Sequence, residues 1–316
     1  MADKLDLYLL TGFLGAGKTT VLRHILELMQ HERVGILQHE FCRQQADPQE
    51  EGVIHDREDI LLRQQGDSSL VCACPQALFP QALADLAQHP MGLRYVFAEG
   101  SGLGDPASME AILQEANALC GDRYQLKGIL CLVDANNFMD IRSMEPVVWQ
   151  LRHCHLAILN KADLVAPELL GVIQQQVRRI NPDCGILACS FGQFNLDFLD
   201  QDLLAHQWSD EDYAHESDIA LSLPLFLYCR QPVPRAALTA FLREMQREVY
   251  RMKGAFLLEN GWHQVDAVGS RIDFRLGKLR QISYLMFLPK EGPAITEPIQ
   301  QAWDRTVGLP MELKYE

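Results

Sequence analysis

The stretch Gly12-Phe13-Leu14-Gly15-Ala16-Gly17-Lys18-Thr19 follows the apolar run Leu5–Leu10 near the start of the chain. Its spacing, G-x-x-x-x-G-K-[ST], is that of a phosphate-binding loop, which needs a buried strand before it and a helix after it. Glycines let the backbone N–H groups converge on phosphate oxygens, and the N-terminus of the helix adds partial positive charge. The stretch therefore predicts a strand–loop–helix unit that binds the phosphates of a nucleotide.

Two side chains of this loop have a predicted chemical role. Lys18 can reach the β- and γ-phosphates and stabilise the charge that develops on the transferred phosphoryl group, and the Thr19 hydroxyl can ligate Mg²⁺. The other predicted nucleotide contacts from this part of the chain are Gly12, Gly15, Ala16, Gly17 and Thr20.

The composition is that of a globular protein with a sizeable core, since 48% of the 316 residues are hydrophobic. The net charge of −14 argues against a surface for nucleic acid or anionic membranes. No apolar run approaches the length of a membrane span, and the N-terminus lacks the features of a secretory signal, so we expect a cytoplasmic protein. The nine cysteines are an odd number in a long chain, and we expect reduced thiols.

The first two-thirds of the chain alternates short apolar runs with helical patterns. The predicted strands are Leu5–Leu10, Val34–Gln38, Tyr95–Ala98, Lys127–Val133, Leu156–Leu159 and Gly185–Ala188. Helical spacing of apolar residues predicts helices over Thr20–His31, Pro75–Gln88 and Ala107–Ala118. Continuous apolar strands alternating with helices indicate a doubly wound α/β domain with a mainly parallel sheet.

The pattern changes after residue 208. Residues 209–218 are rich in acidic side chains and are predicted to be a linker, so that residues 1–208 form the first domain. Residues 219–290 are expected to form a small α+β domain, with a helix over Pro234–Met252 and a mainly antiparallel sheet. Residues 291–316 contain three prolines and show little periodicity, and we expect them to form a docked tail.

A second motif, Asn160-Lys161-Ala162-Asp163, comes directly after the predicted strand Leu156–Leu159. A carboxylate at Asp163 can accept two hydrogen bonds from the N1–H and 2-amino groups of guanine, and adenine has no such donor pair. Asn160 can contact the base and join neighbouring loops, and the Lys161 stem can cover the ring. Open α/β sheets bind ligands at the carboxyl ends of their strands, so this motif predicts GTP as the nucleotide.

A third motif begins where the predicted strand Tyr95–Ala98 ends. The Glu99 carboxylate can bind Mg²⁺ through water and organise the attacking water, and Gly102 can donate its N–H to the γ-phosphate. Neither an arginine finger nor a water-positioning side chain stands out. We therefore expect GTP hydrolysis with a slow intrinsic rate.

These motifs resemble those of the CobW/YjiA-type GTPases, P-loop proteins that carry Glu rather than Asp in the second phosphate motif. The matching segments are Thr11–Thr20, Glu99–Pro106, Val133–Ala135, Asn160–Asp163, Arg251–Leu258 and Val268–Asp273. The resemblance implies a GTP-hydrolysing metallochaperone, or an assembly factor for a metallocentre or a cobalamin-related enzyme. It implies GTP and Mg²⁺ as cofactors and a client metalloenzyme or corrinoid protein as partner, with a nucleotide-dependent homodimer as a further candidate assembly.

The family's thiol motif is altered in this chain. Its Cys-x-Cys-Cys corresponds to Cys72-Ala73-Cys74-Pro75, and its Asn-Glu-Phe-Gly corresponds to His39-Glu40-Phe41-Cys42. Cys72 and Cys74 can place two sulfurs on one ion, with Cys42, His39 or Glu40 completing a tetrahedral site for Zn²⁺ or Co²⁺. The alternative is that this chain has lost the metal site and that these cysteines are ordinary thiols. The switch segments Gln38–Asp47 and Gln65–Pro75 would couple these thiols to the γ-phosphate.

Three further alternatives remain open. A GTP-dependent scaffold would activate a corrinoid protein or metalloenzyme without carrying metal, and a small-molecule kinase would use ATP, which Asp163 disfavours. The cluster His153-Cys154-His155 is either a ligand set or, as we expect, a packing or surface feature.

Overall fold

A computed structural model describes residues 4–39, 53–57, 60–65, 68–74, 76–205, 225–290 and 292–315. The chain divides into two compact units, Met1–His215 and Glu216–Glu316. The predicted acidic linker, residues 209–218, lies outside the described residues.

The first unit contains nine described strands and six described helices. The strands are β1 (Leu5–Gly12), β2 (Val34–His39), β3 (Val53–Arg57), β4 (Ile60–Gln65), β5 (Ser69–Cys74), β6 (Tyr95–Glu99), β7 (Tyr124–Asp134), β8 (Leu156–Asn160) and β9 (Gly185–Ala188). The helices are α1 (Lys18–Leu28), α2 (Phe79–Gln88), α3 (Ser108–Cys120), α4 (Phe138–Ile141), α5 (Glu145–Arg152) and α6 (Pro167–Ile180).

The strands form one sheet in the order β3-β4-β5-β2-β6-β1-β7-β8-β9. The seven strands from β5 to β9 in this order are parallel, and β4 and β3 extend the sheet in the antiparallel sense. This confirms the predicted doubly wound, mainly parallel α/β fold. The strands β3, β4 and β5 were not predicted. In β3 and β4 the apolar run is short and polar residues follow it, and β5 lies within the segment that was interpreted as a switch, Gln65–Pro75.

Strand β1 lies in the middle of the sheet, and its side chains build the core. Tyr8 stacks on Phe97 of β6, with ring centroids 5.3 Å apart, and meets Phe198 edge-on at 5.4 Å. Val21 and Ile25 of α1 pack against the same cluster and are fully buried. Because β1, β6 and β8 run in parallel, the segments that follow them emerge at the same edge of the sheet.

The observed helices start and end close to the predicted ones. Helix α1 begins at Lys18 rather than Thr20 and ends at Leu28 rather than His31. Helix α2 begins only at Phe79, because a short 3₁₀ turn, Gln76–Leu78, precedes it. Helix α3 ends at Cys120, where Gly121 adopts the left-handed conformation (φ 75°) that terminates a helix.

The second unit is an antiparallel sheet with two described helices. Its elements are β10 (Leu225–Cys229), α7 (Arg235–Met245), β11 (Val249–Leu258), β12 (Gly261–Val268), β13 (Arg271–Leu276), β14 (Ser283–Pro289), α8 (Thr296–Thr306) and β15 (Met311–Tyr315). The strand order is β13-β12-β11-β14-β10-β15, and every neighbouring pair is antiparallel. The predicted α+β class of this unit is therefore confirmed.

Two expectations for the second unit were wrong. The helix predicted over Pro234–Met252 ends at Met245, and β11 begins at Val249, because this stretch pairs with both β12 and β14. The predicted tail instead supplies α8 and the sixth strand. Its Trp303 is fully buried and meets Phe241 edge-on at 5.1 Å, so it belongs to the core.

Candidate functional site

The phosphate loop joins β1 to α1 as the sequence predicts. Gly12, Gly15 and Gly17 have φ angles of 134°, 81° and 104°, which L-residues with a side chain rarely adopt. At Gly12 space is also lacking, since a Cβ atom there would lie 2.3 Å from the backbone oxygen of Leu132 in β7. The glycines are therefore required both for the turn and for the close packing of the loop against the sheet.

Lys18 brings a cation into the centre of the loop. Its side chain is buried, and Nζ donates a hydrogen bond to the carbonyl oxygen of Gly12 at 2.7 Å. A buried ammonium group favours an anion nearby, and the first N–H groups of α1 point out of the same end of the helix. This arrangement suits the β- and γ-phosphates of a nucleotide.

Thr19 and Glu99 face each other across the loop. The hydroxyl oxygen of Thr19, in the first turn of α1, lies 3.4 Å from each carboxylate oxygen of Glu99, the last residue of β6. A hydroxyl and a carboxylate are hard oxygen ligands of the kind that Mg²⁺ prefers. These two side chains therefore fit the predicted Mg²⁺ site. Thr20, the next predicted contact, is exposed.

Asn160 ties the base loop to the phosphate loop. It ends β8 and is buried, and its Nδ2 donates to the carbonyl of Ala16 at 2.9 Å. Its Oδ1 accepts hydrogen bonds from the backbone N–H of Lys161 at 2.9 Å and of Gly192 at 3.0 Å. One amide side chain therefore holds three separate backbone segments together.

Lys161 makes a second connection between the same loops. Its backbone is left-handed (φ 63°), and its Nζ donates to the carbonyl of Gly15 at 2.8 Å and to the carboxylate of Asp134 at 2.5 Å. Asp134 is the last residue of β7, and its side chain is 7% exposed. The sequence motif predicts that Lys161 covers the base, whereas it predicts no role for Asp134. In the structure, Asp134 holds the ammonium group of Lys161 in place.

Asp163 is exposed, so its carboxylate is accessible to a base. Its backbone N–H donates to the hydroxyl of Ser190 at 3.1 Å, and the N–H of Ala162 donates to the carbonyl of Cys189 at 3.0 Å. The loop after β9 therefore supports the base loop, a role that the sequence motifs do not predict. The sequence signal for it is Ser190-Phe191-Gly192 directly beyond a strand of the parallel sheet, where Phe191 has a φ of 57° and is 71% exposed.

Gly102 lies against the phosphate loop. A Cβ atom at Gly102 would meet the Leu14 side chain at 2.3 Å and its backbone nitrogen at 3.3 Å, so this approach leaves no room for a larger residue unless Leu14 moves. The preceding Gly100 donates its N–H to the carbonyl of Leu10 at 2.9 Å. The segment that begins at Glu99 is therefore held beside the loop that would bind the phosphates.

The predicted transition-metal ligands are described only in part. Glu40 and Cys42 lie outside the described residues, and the side chains of His39 and Cys74 are not described. In the backbone, His39 of β2 and Cys74 of β5 are register partners, and Cys72 is buried two residues earlier. Among the side chains that the structure describes, no group of three His, Cys, Asp or Glu could hold a metal ion.

The cluster His153-Cys154-His155 is buried, as a packing feature would be. His153 Nδ1 lies 2.9 Å from the carboxylate of Asp105, and Cys154 donates to the carbonyl of Leu151 at 3.2 Å. His155 Nδ1 accepts a hydrogen bond from the N–H of Ile129 at 3.0 Å, and burial lowers the pKa of His155 to about 4. His155 is therefore neutral near pH 7.

Comparison with known families shows which family this chain belongs to. Residues 6–188 match the family described as CobW/HypB/UreG, nucleotide-binding domain, and residues 225–290 match the cobalamin synthesis protein cobW C-terminal domain. The chain belongs to the CobW/HypB/UreG family of P-loop GTPases. The resemblance seen in the sequence motifs is thereby confirmed.

Two characterised proteins are similar to this chain over part of their length. The chain is 27% identical over 249 residues to the zinc-regulated GTPase metalloprotein activator 1 of Schizosaccharomyces pombe, covering 72% of this chain and 58% of that protein. It is 29% identical over 202 residues to the zinc chaperone YjiA of Escherichia coli, covering 60% of this chain and 59% of that protein. The matches thus span less than two-thirds of the length of either relative.

A solved structure shares the fold. The crystal structure of the Zn(II)-bound YjiA GTPase from E. coli matches 96% of this chain and 99% of its own, with a TM-score of 0.50 and 20% identity. No helix in the described part of this CobW-family chain is long and apolar enough to cross a membrane.

Proposed function

We propose that this chain is a GTP-hydrolysing metallochaperone that delivers zinc to a client protein. The observation that carries the nucleotide half of the proposal is the hydrogen bond from Asn160 to the carbonyl of Ala16, with Asp163 exposed on the same loop. It supports the proposal because the loop that carries the Asp163 carboxylate is hydrogen-bonded directly to the phosphate loop. The zinc half rests on the relatives' names and on the thiol and imidazole residues of β2 and β5.

The phosphate-site residues divide the work of hydrolysis. Lys18, buried in the loop, stabilises negative charge on the β- and γ-phosphate oxygens as the bond to the γ-phosphate breaks. Thr19 and Glu99 would hold Mg²⁺, which neutralises phosphate charge when bound. Glu99 also orients the attacking water. Since no arginine finger is assigned, we expect slow turnover that a partner accelerates.

The zinc cargo would bind at the carboxyl ends of β2 and β5. His39 and Cys74 are register partners there, and Cys72 occupies the same face of β5 two residues earlier. Cys42 and Glu40, a few residues along the chain from His39, complete the proposed ligand set. Thiolates with one nitrogen or oxygen ligand suit Zn²⁺, and Co²⁺ is the expected substitute in the same geometry.

The sheet supplies a short route between cargo and nucleotide. Leu37 of β2 is the register partner both of Cys72 in β5 and of Ala98 in β6, and Ala98 precedes Glu99. A shift of Glu99 or Gly102 on loss of the γ-phosphate is therefore two strands away from the proposed cargo site. If hydrolysis changes zinc affinity in this way, zinc must change the preference for GTP over GDP by the same factor.

Single-turnover GTP hydrolysis tests the nucleotide half. We expect Lys18→Ala and Glu99→Gln to lower the rate by at least about 100-fold, since each removes charge stabilisation or water positioning. Normal rates in both variants would remove the assignment. Competition of ATP against GTP separates this function from a small-molecule kinase, which would prefer ATP.

Zinc content tests the cargo half. We expect the reduced protein to bind stoichiometric Zn²⁺, with different affinities in the GTP and GDP forms. The double variant Cys72→Ser, Cys74→Ser should lose it, whereas Cys120→Ser, at the end of α3, should not. Unchanged uptake in the double variant would exclude the site.

A scaffold that binds its client in a GTP-dependent way without metal is the second candidate. Pro75 in place of the third motif cysteine favours it. Client binding driven by GTP in metal-free protein would establish it. The same samples, measured by light scattering, test the nucleotide-dependent homodimer.

A further inference from the structure

The segment Gly102–Asp105, which we call the tethered segment, is fastened to helix α5 by Gln150. The Nε2 of Gln150 donates to the carbonyl oxygens of Gly102 and Gly104, each at 3.2 Å. The Gln150 side chain is 1% exposed, so water cannot readily replace these bonds. One buried amide therefore sets the position of two peptide groups in the segment that follows Glu99.

A second contact fixes the far end of the tethered segment. Asp105 accepts a hydrogen bond at 2.9 Å from the N–H of Ala107, just before α3, and pairs with His153 directly after α5. Both side chains of the Asp105–His153 pair are less than 10% exposed. The tethered segment is thus held to the same short stretch of chain, residues 150–153, at both ends.

On its other side the tethered segment meets the phosphate loop. Gly102 lies so close to Leu14 that a methyl group at position 102 would be 2.3 Å from the leucine side chain. Gly102 therefore sits between Leu14 and Gln150, and a shift of Gly102 must change one contact or the other. Because interiors are close-packed, such a contact moves between discrete arrangements rather than by gradual deformation.

The acceptor of Gln150 is unused in this arrangement. Its Oε1 is buried and has no hydrogen-bond partner among the described residues. Such a group destabilises the state that contains it, because a buried acceptor has lost its hydrogen bonds to water. A second arrangement in which Oε1 accepts a backbone N–H of the tethered segment would relieve this, so Gln150 is suited to hold two positions of the segment.

We propose that Gln150 is a positioning residue that sets the place of Gly102 beside the phosphate loop and thereby the discrimination between GTP and GDP. The proposal rests on the proposed GTPase function and adds a residue that touches neither nucleotide nor Mg²⁺. Gln150 acts on the carbonyl side of the peptide groups of Gly102 and Gly104. Gly102 can then direct its own N–H to the γ-phosphate, which GTP has and GDP lacks.

Two variants of Gln150 test the role. Gln150→Glu replaces the donors with a carboxylate that repels both carbonyls, and Gln150→Met fills similar space without polar atoms. The control is Gln174→Glu, the same change at an exposed position of α6. For each protein, the affinities for GDP and for a non-hydrolysable GTP analogue and the single-turnover rate of GTP hydrolysis are measured.

We expect both Gln150 variants to bind GDP within about twofold of the wild type but to hydrolyse GTP at least about tenfold more slowly and to bind the analogue more weakly. The control should match the wild type. Unchanged hydrolysis in either folded Gln150 variant overturns the proposal. An equal weakening of GDP and analogue binding also overturns it, because that is what a merely structural residue would give.

Hydrogen exchange of the wild-type protein provides a test that needs no variant. We expect the amides of residues 102–105 and of α5 to change their exchange rates together between the GDP and the analogue complexes. A change in the tethered segment without any change in α5 overturns the role of Gln150. A wild-type protein that does not hydrolyse GTP would instead refute the proposed function, which keeps the two failures distinct.

Discussion

Asn160 donates a hydrogen bond from Nδ2 to the carbonyl of Ala16 at 2.9 Å and so joins the guanine-selecting loop to the phosphate loop. The contact is possible only because residue 17 is glycine, since a Cβ atom at Gly17 would lie 2.4 Å from that Nδ2. The two motifs lie more than 140 residues apart, and this hydrogen bond needs Asn160 in one of them and a glycine in the other. Their joint presence in the sequence has a physical reason.

Replacing this side chain should impair both stability and nucleotide binding. In Asn160→Ala, the buried carbonyl of Ala16 and the N–H of Gly192 lose their partner, which should lower the free energy of unfolding by about 2–4 kcal/mol. GDP affinity should fall by at least about tenfold, because the base loop is no longer held against the phosphate loop. Urea denaturation and titration with a fluorescent GDP analogue measure the two effects.

The matched control for this prediction is Asn181→Ala. Asn181 is also buried and holds backbone carbonyls, those of Leu151, Arg152 and Cys154, but its described hydrogen bonds reach neither nucleotide loop. It should lose stability to a similar extent and keep its GDP affinity to within about threefold. Equal losses of GDP affinity in both variants would contradict the role given to Asn160.

Gly12 and Gly121 illustrate two different reasons why a position favours glycine. Both have positive φ, but a Cβ atom at Gly12 would meet the Leu132 carbonyl at 2.3 Å, whereas at Gly121 nothing lies within 4 Å. Gly121→Ala should therefore lower the free energy of unfolding by only about 1 kcal/mol, the usual strain of the left-handed region. Gly12→Ala should lower it by more than about 3 kcal/mol, since the backbone of β1 or β7 must move.

Thermal denaturation of both alanine variants, with and without GDP, checks this difference. GDP should stabilise Gly121→Ala as much as the wild type, since Gly121 lies just before the start of β7, at the edge of the sheet opposite to the nucleotide loops. It should stabilise Gly12→Ala much less. Comparable melting temperatures for the two variants would show that the loop tolerates the clash.

Asp163 should set the choice of base. Its side chain is exposed and its backbone is fixed by Ser190, so Asp163→Asn should leave the fold unchanged. The amide can accept only one of the two guanine hydrogen bonds, so GTP affinity should fall by about 100-fold or more. Affinity for xanthosine triphosphate should rise, because its 2-oxo group can accept a hydrogen bond from the new amide N–H.

Asp183→Asn, at an exposed position beyond α6, is the control and should bind GTP as the wild type does. Unaltered selectivity in Asp163→Asn would place the base elsewhere.

The correctly predicted parts of this protein are those in which only a few residue types can fill a position. Buried parallel strands are continuous apolar runs, and Gly12, Lys18 and Asp163 have few alternatives at their positions. This is why six of the seven parallel strands, and the positions of the loops that follow them, were predicted with small errors. The errors at helix ends, such as α2 beginning at Phe79, reflect local turns that periodicity does not register.

The parts that were missed depend on contacts distant in the chain. Strand β11 was predicted in part as helix, because pairing with β12 and β14 outweighs the local preference of residues 249–252. Asp134, Ser190 and Gln150 have ordinary neighbours in the sequence. Their roles arise from contacts with residues distant in the chain, which are Lys161, Asp163 and the tethered segment respectively. A sequence pattern identifies groups that meet the ligand more readily than groups that hold those in place.

The buried His155 should make stability depend on pH in a predictable direction. Burial lowers its pKa to about 4, below the value of about 6.5 in an unfolded chain, so the folded protein holds it neutral where the unfolded chain binds a proton. Its contribution is complete above pH 6.5 and is lost as the pH falls toward 4. The loss amounts to about 3 kcal/mol over this range.

Urea denaturation at pH 7, 5.5 and 4.5 measures this dependence. His155→Asn can still offer an acceptor to the N–H of Ile129 but cannot titrate. Its free energy of unfolding should therefore fall less steeply with decreasing pH, and the difference in slope should correspond to about one proton. His31→Asn, at an exposed position after α1, should follow the wild-type curve. Parallel curves for wild type and His155→Asn would mean that the buried imidazole becomes protonated within the folded protein, against the burial that the structure gives it.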